Sequence, residues 1–114
     1  MISVRNLFDG IPGDVQEEMF SDILQTDRFR IERIVSRGQA SPPDFWYDQE
    51  TDEWVMLVAG GATLGFDDSR AVDLKPGDYL FIPRRCRHRV EWTDPEQETV
   101  WLAVHSRADK GDHG

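Results

Sequence analysis

Beyond position 28 the chain reads as short runs in which apolar and polar residues alternate, the period of a strand rather than a helix. In RFRIERIVS (28–36), Phe29, Ile31 and Val35 fall on one face. EWVMLVAG (53–60) is apolar on both faces after its first residue, as a strand covered on both sides should be. ATLGFDDS (62–69) groups Ala62, Leu64 and Phe66 before an acidic turn. AVDLKPGD (71–78) brings Val72 and Leu74 to a Pro-Gly pair suited to a type II turn. YLFIP (79–83) is stopped by its proline. CRHRVEW (86–92) sets Cys86, His88, Val90 and Trp92 on one face and Arg87, Arg89 and Glu91 on the other. TVWLAVH (99–105) reads as a last buried strand.

Only the segment before Arg28 is ambiguous. In VQEEMFSDILQ (15–25), Met19, Phe20, Ile23 and Leu24 recur at helical spacing, yet the stretch could equally pair with 28–36 across Thr26-Asp27. A helical turn running into a strand is expected, with a hairpin as the alternative. Many short strands separated by Gly, Pro and Asp turns predict an all-β fold, a sandwich or closed barrel. The expected organisation is one domain, with a barrel over 28–105 and an N-terminal segment, 1–27, packed on it. The polar tail 106–114, SRADKGDHG, is expected to be disordered.

A chain of 114 residues with 39% hydrophobic residues and four Trp can bury one core. Its net charge of −9 repels phosphate backbones and anionic headgroups, which argues against nucleic acid or a membrane as partner. A single cysteine, Cys86, excludes an intrachain disulfide and fits a reducing compartment. MISVRNLFDG (1–10) lacks the apolar run of a signal peptide, so a cytoplasmic location is the expectation.

Two stretches carry a motif. Glu53-WVMLVA-Gly60 has the form E-x6-G, and Gly77-DYLFI-Pro83 followed by His88 has the form G-x5-P-x4-H. Sixteen residues, 61–76, separate them. In this order and spacing the pair resembles the two motifs of the cupins, in particular small single-domain bacterial cupins of the cupin 2 type. The resemblance implies an antiparallel double-stranded β-helix, the jelly-roll barrel that encloses a ligand cavity. It also implies a homodimer. An outward stripe of Trp54, Met56 and Val58 on the strand that begins at Glu53 would need such cover, from a second subunit or from Phe20 and Leu24.

In metal-binding cupins the first motif supplies H-x-H and a Glu, and the second supplies one more His. Here Glu53 and His88 match, whereas the H-x-H positions hold Trp46 and Asp48 if four residues precede Glu53, or Tyr47 and Gln49 if three do. Arg85 also replaces the Gly of the second motif's P-x-G. In the four-residue count, Asp48, Glu53 and His88 would form a metal set suited to Mn, Fe or Zn. Without a metal, Glu53 and His88 would form a buried pair, with Tyr47 and Gln49 adding hydrogen bonds in the other count. A cavity lined by Trp46, Tyr47, Trp92 and Trp101 suits a small organic ligand held without a firmly bound metal. A divalent-metal enzyme using Asp48, Glu53 and His88 is the alternative, of oxygenase, isomerase or decarboxylase type.

The remaining candidates have plainer readings. Arg84 and Arg85 could grip an anionic substrate at the cavity mouth, while Arg87 and Arg89 alternate outward as solvated charges. Cys86 is read as a small buried hydrophobe, His105 as an ordinary strand-end residue, and His113 belongs to the tail.

Overall fold

Eight strands, with no helix among the described residues, build two facing antiparallel sheets; the computed structural model describes residues 2–107. The strands are β1 Met19–Gln25, β2 Phe29–Ser36, β3 Asp52–Ala59, β4 Ala62–Phe66, β5 Ala71–Leu74, β6 Tyr79–Ile82, β7 His88–Thr93 and β8 Thr99–Ser106. One sheet runs β1-β2-β8-β3-β6 and the other β5-β4-β7. Between them lies a core that includes Val55, Leu57, Leu64, Ile82, Trp101 and Ala103.

The N-terminal segment folds as the hairpin, not the helical turn. β1 pairs with β2 in antiparallel register, and Thr26 Oγ1 accepts hydrogen bonds from the amides of Arg28 and Phe29 at 3.1 and 3.2 Å to close the turn. Ile23 is an extra residue between the pairs Asp22–Glu32 and Leu24–Ile31. That bulge breaks strict alternation and gives Met19, Phe20, Ile23 and Leu24 a spacing that mimics a helix. Of the polar tail, Ser106 completes β8 and the Arg107 amide donates to the Arg28 carbonyl at 3.2 Å. Residues 108–114, His113 among them, lie outside the described residues.

Phe29, Ile31 and Val35 do share a face of β2, but it is the outer one. Arg33 on that face donates to the carbonyls of Leu7 and Asp9 at 2.9 and 2.6 Å and straps the N-terminal segment over it. The cavity side of β2 instead carries Glu32, Ile34 and Ser36, paired opposite Ala103, Trp101 and Thr99 of β8. Outside β3 and β6, Trp54 sits opposite Phe81 and Met56 opposite Tyr79. Phe81 and Tyr79 are 60% and 66% exposed, a large apolar face at a sheet edge.

Both motif glycines have left-handed backbones, for different reasons. Gly77 (φ 94°) is the third residue of the Lys75–Asp78 turn, in which the Asp78 amide donates to the Lys75 carbonyl at 2.9 Å. A Cβ there would meet nothing. At Gly60 (φ 89°) a Cβ would lie 2.6 Å from Thr99 Cα and 2.7 Å from the Glu98 carbonyl oxygen, so β8 can pass only over a residue without a side chain.

Candidate functional site

Inward side chains of both sheets surround a cavity of about 80 Å³ at one end of the core. Glu53 enters it from the start of β3 and His88 from the start of β7. The segment before β3 is fixed by a two-residue bridge. The Tyr47 amide donates to the His88 carbonyl at 2.7 Å, and the His88 amide donates back to the Tyr47 carbonyl at 3.1 Å. Pairing sets the face, because successive residues of an extended chain point opposite ways. Tyr47 and Gln49 therefore line the cavity, and the Tyr47 ring stacks on His88 with centroids 5.4 Å apart.

Trp46 and Asp48 turn outward, which corrects the expected lining and the expected metal set. Asp48 pairs with Arg85 at 3.2 Å in a half-exposed position, and Trp46 lies beneath the Arg87 guanidinium at 5.6 Å from its ring. Asp48 and Trp46 are absent from the cavity wall. Arg85 holds a left-handed backbone (φ 63°) where the family motif has glycine, so the fold is kept at the cost of some strain. Arg84 stays close to Asp52, while Arg89 donates to the Ser41 carbonyl at 2.8 Å.

Trp92 is also outside, 47% exposed. Thr63 pairs with Trp92 but the next residue, Leu64, pairs with Val90, which leaves Glu91 as an extra residue in β7. Beyond this bulge the alternation inverts, so His88, Val90 and Thr93 turn inward and Trp92 does not. Trp101 is in the wall, 3% exposed, with its indole N–H 3.3 Å from Ser36 Oγ.

The Glu53–His88 pair is close but unlocked. His88 Nδ1 lies 2.9 Å from the Cys86 carbonyl, which fixes a proton on that nitrogen and turns Nε2 to the cavity. Nε2 is 3.6 Å from Glu53 Oε1, beyond a hydrogen bond, and this buried oxygen has no other partner. Burial alone would lower the His88 pKa; the Glu53 carboxylate and the Cys86 carbonyl outweigh it and hold it above its ordinary 6.5. Cys86 is half-buried, and its contribution here is its backbone oxygen.

A second pair was not anticipated. His105 Nε2 lies 3.2 Å from Glu32 Oε1, both residues are buried, and both line the cavity. Burial would raise the Glu32 pKa, but His105 and Arg30, whose Nη1 is 2.9 Å from Glu32 Oε2, bring it below the usual carboxylate range. His105 is the direct cross-strand neighbour of Glu53, and its Nδ1 is buried without a partner. Its position was readable: Trp101, Ala103 and His105 share a face by period two, so an inward Trp101 implies an inward His105. Glu18 and Phe20 of the N-terminal segment complete the wall, with Phe20 54% exposed at the rim.

Divalent metals are frequent in this barrel type, and the donors present do not fit one as a resident ion. Glu53 and His88 are two strong ligands, Glu32 and His105 are engaged with each other and Glu32 also with Arg30, and Gln49 offers an amide and Tyr47 a phenol. Burial first, then the fields of Glu18, Glu53 and Glu32, holds that phenol above its usual pKa and hence protonated. No three His, Cys, Asp or Glu side chains converge among the described residues. Firm sites need three or four such donors.

The cupin domain profile matches residues 33–105. A solved protein of Ralstonia eutropha JMP134, provisionally described as a mannose-6-phosphate isomerase, is 48% identical; the match covers 94% of this chain and 100% of that one at a TM-score of 0.89. A cupin superfamily protein of Desulfitobacterium hafniense DCB-2 matches over 86% of this chain and 84% of its own at 19% identity and a TM-score of 0.71. A cupin family protein of Methanocaldococcus jannaschii with a double-stranded β-helix fold is 17% identical, over 85% of this chain and 86% of its own, at a TM-score of 0.67. These last two likenesses concern the fold alone. No curated protein matches. With both motifs, the two facing sheets and a profile match over most of the barrel, the chain belongs to the cupin family.

Proposed function

We propose that the barrel binds a small organic molecule without a firmly held metal, anchoring it on Glu53 and His88. The observation that carries this reading is the buried, partnerless Oε1 of Glu53 in a cavity with largely apolar walls. A buried acceptor without a donor costs about 1–3 kcal/mol, and a bound ligand's N–H or O–H would recover it. Leu64, Ile82, Val90 and Trp101 supply the apolar contact, and Tyr47 and Gln49 add polar groups beside the pair.

The test has two arms. Protein purified without an affinity tag is expected to carry less than roughly a tenth of an equivalent of Mn, Fe or Zn. In a screen of small polar fragments by NMR, hits should shift the His88 imidazole and Trp101 indole signals. A stoichiometric metal whose chelation lowers the melting temperature, or hits that leave both signals unmoved, would overturn the proposal.

The Ralstonia likeness favours a second reading, isomerisation of a sugar phosphate with Glu53 and His88 moving the proton. It requires a cationic grip on phosphate, and no Lys or Arg lines this cavity.

The exposed face of Trp54, Met56, Tyr79 and Phe81 supports a homodimer, since the N-terminal strap covers β2 and leaves β3 and β6 open. Phe81→Glu is expected to halve the mass measured by light scattering. A wild-type monomer, or a variant of unchanged mass, removes the proposed interface.

A further inference from the structure

Three carboxylates and several aromatic rings share the cavity wall, with no lysine or arginine among them. We infer that its ligand is a small organic cation, an ammonium group on a short apolar body; this rests on the cavity being a small-molecule site.

The carboxylates are not equally satisfied. Glu32 is neutralised by Arg30 at 2.9 Å and His105 at 3.2 Å. Glu18 accepts only a neutral donor, the Ser36 hydroxyl, at 2.6 Å. Glu53 is 91% buried at its side chain, and its Oε1 lacks a donor altogether. His88 faces Glu53 only at 3.6 Å, so the missing element is an N–H within hydrogen-bond reach, which an ammonium supplies together with charge for Glu18. An anion would meet the reverse, since each histidine already faces a carboxylate.

Two further observations agree. The fields of Glu18, Glu53 and Glu32 all reach the Tyr47 hydroxyl, so negative potential converges on one part of the wall. Phe20, Tyr47 and Trp101 also put aromatic rings in the wall, a side-chain type that attracts cations.

The test is an NMR titration of the full chain with butylammonium, butanol, butyrate and mannose 6-phosphate, following His88, Tyr47 and Trp101. Butylammonium is expected to bind at least about tenfold more tightly than butanol, as one charge-assisted hydrogen bond allows, with no cavity shifts from the two anions. Glu53→Gln, and separately Glu18→Gln at the half-buried edge, should each cut that preference severalfold. Butanol or an anion binding as tightly as butylammonium, or a preference unchanged in both variants, overturns the charge assignment and leaves the small-molecule site standing. If all four probes and the fragment screen leave the cavity signals unmoved, both proposals fall.

Discussion

Gly60→Ala is expected to remove about 4 kcal/mol of stability, much of what a domain of this size has. Two costs combine. A Cβ at φ 89° brings the left-handed penalty of about 1–2 kcal/mol. It also strikes the Cα of Thr99 and the carbonyl of Glu98, backbone atoms that cannot rotate away as a side chain could. Forcing such contacts costs about 1–3 kcal/mol more. Urea denaturation would show the loss as a lower midpoint at constant slope. Gly77→Ala is the internal control, because its φ is 94° and its Cβ meets nothing. It should lose only the first term, about 1–2 kcal/mol. Equal losses at the two sites would mean that β8 moves aside and the close approach is not what demands glycine.

The second large effect is a gain. Tyr47→His with Gln49→His should create a site of three imidazoles and the Glu53 carboxylate, since both positions face the cavity beside His88. The double variant is expected to hold about one equivalent of Zn²⁺ or Mn²⁺ where the wild type holds little. At a hundredfold excess of ion over its dissociation constant, the folded state gains about 2.7 kcal/mol, visible as a raised melting temperature. Trp46→His with Asp48→His is the matched control. Those positions face Arg87 and Arg85 outside the barrel, so that variant should gain nothing. Metal uptake by the control, or none by the first variant, would refute the facing imposed by the Tyr47–His88 bridge.

The barrel was legible because alternation, turn residues and two spaced motifs all pointed to it. The Lys75–Asp78 turn follows from Pro76 and Gly77, and Glu53 and His88 follow from their motif positions. What stayed hidden were choices of face. One hydrogen-bonded bridge between distant segments decides whether Tyr47 or Asp48 points inward, and local sequence carries no trace of that pairing. Bulges at Ile23 and Glu91 add single residues whose presence shows only in the partner strand. Glu32 was overlooked for a different reason. The apolar face of β2 is the one beneath the N-terminal strap, so the more polar face lines the cavity and the usual inside-out assumption inverts.

The extra residue in β7 has a consequence for how this strand can be probed. Which side chains reach the interior between His88 and Thr93 depends on where the sixth residue is absorbed, whatever its identity. A substitution scan holds the length fixed and is blind to it. Loss of the Glu91 codon should leave Thr93 inward and Trp92 outside, because it restores strict pairing with β4, whereas pairing all six residues without the bulge would exchange a buried threonine for an indole.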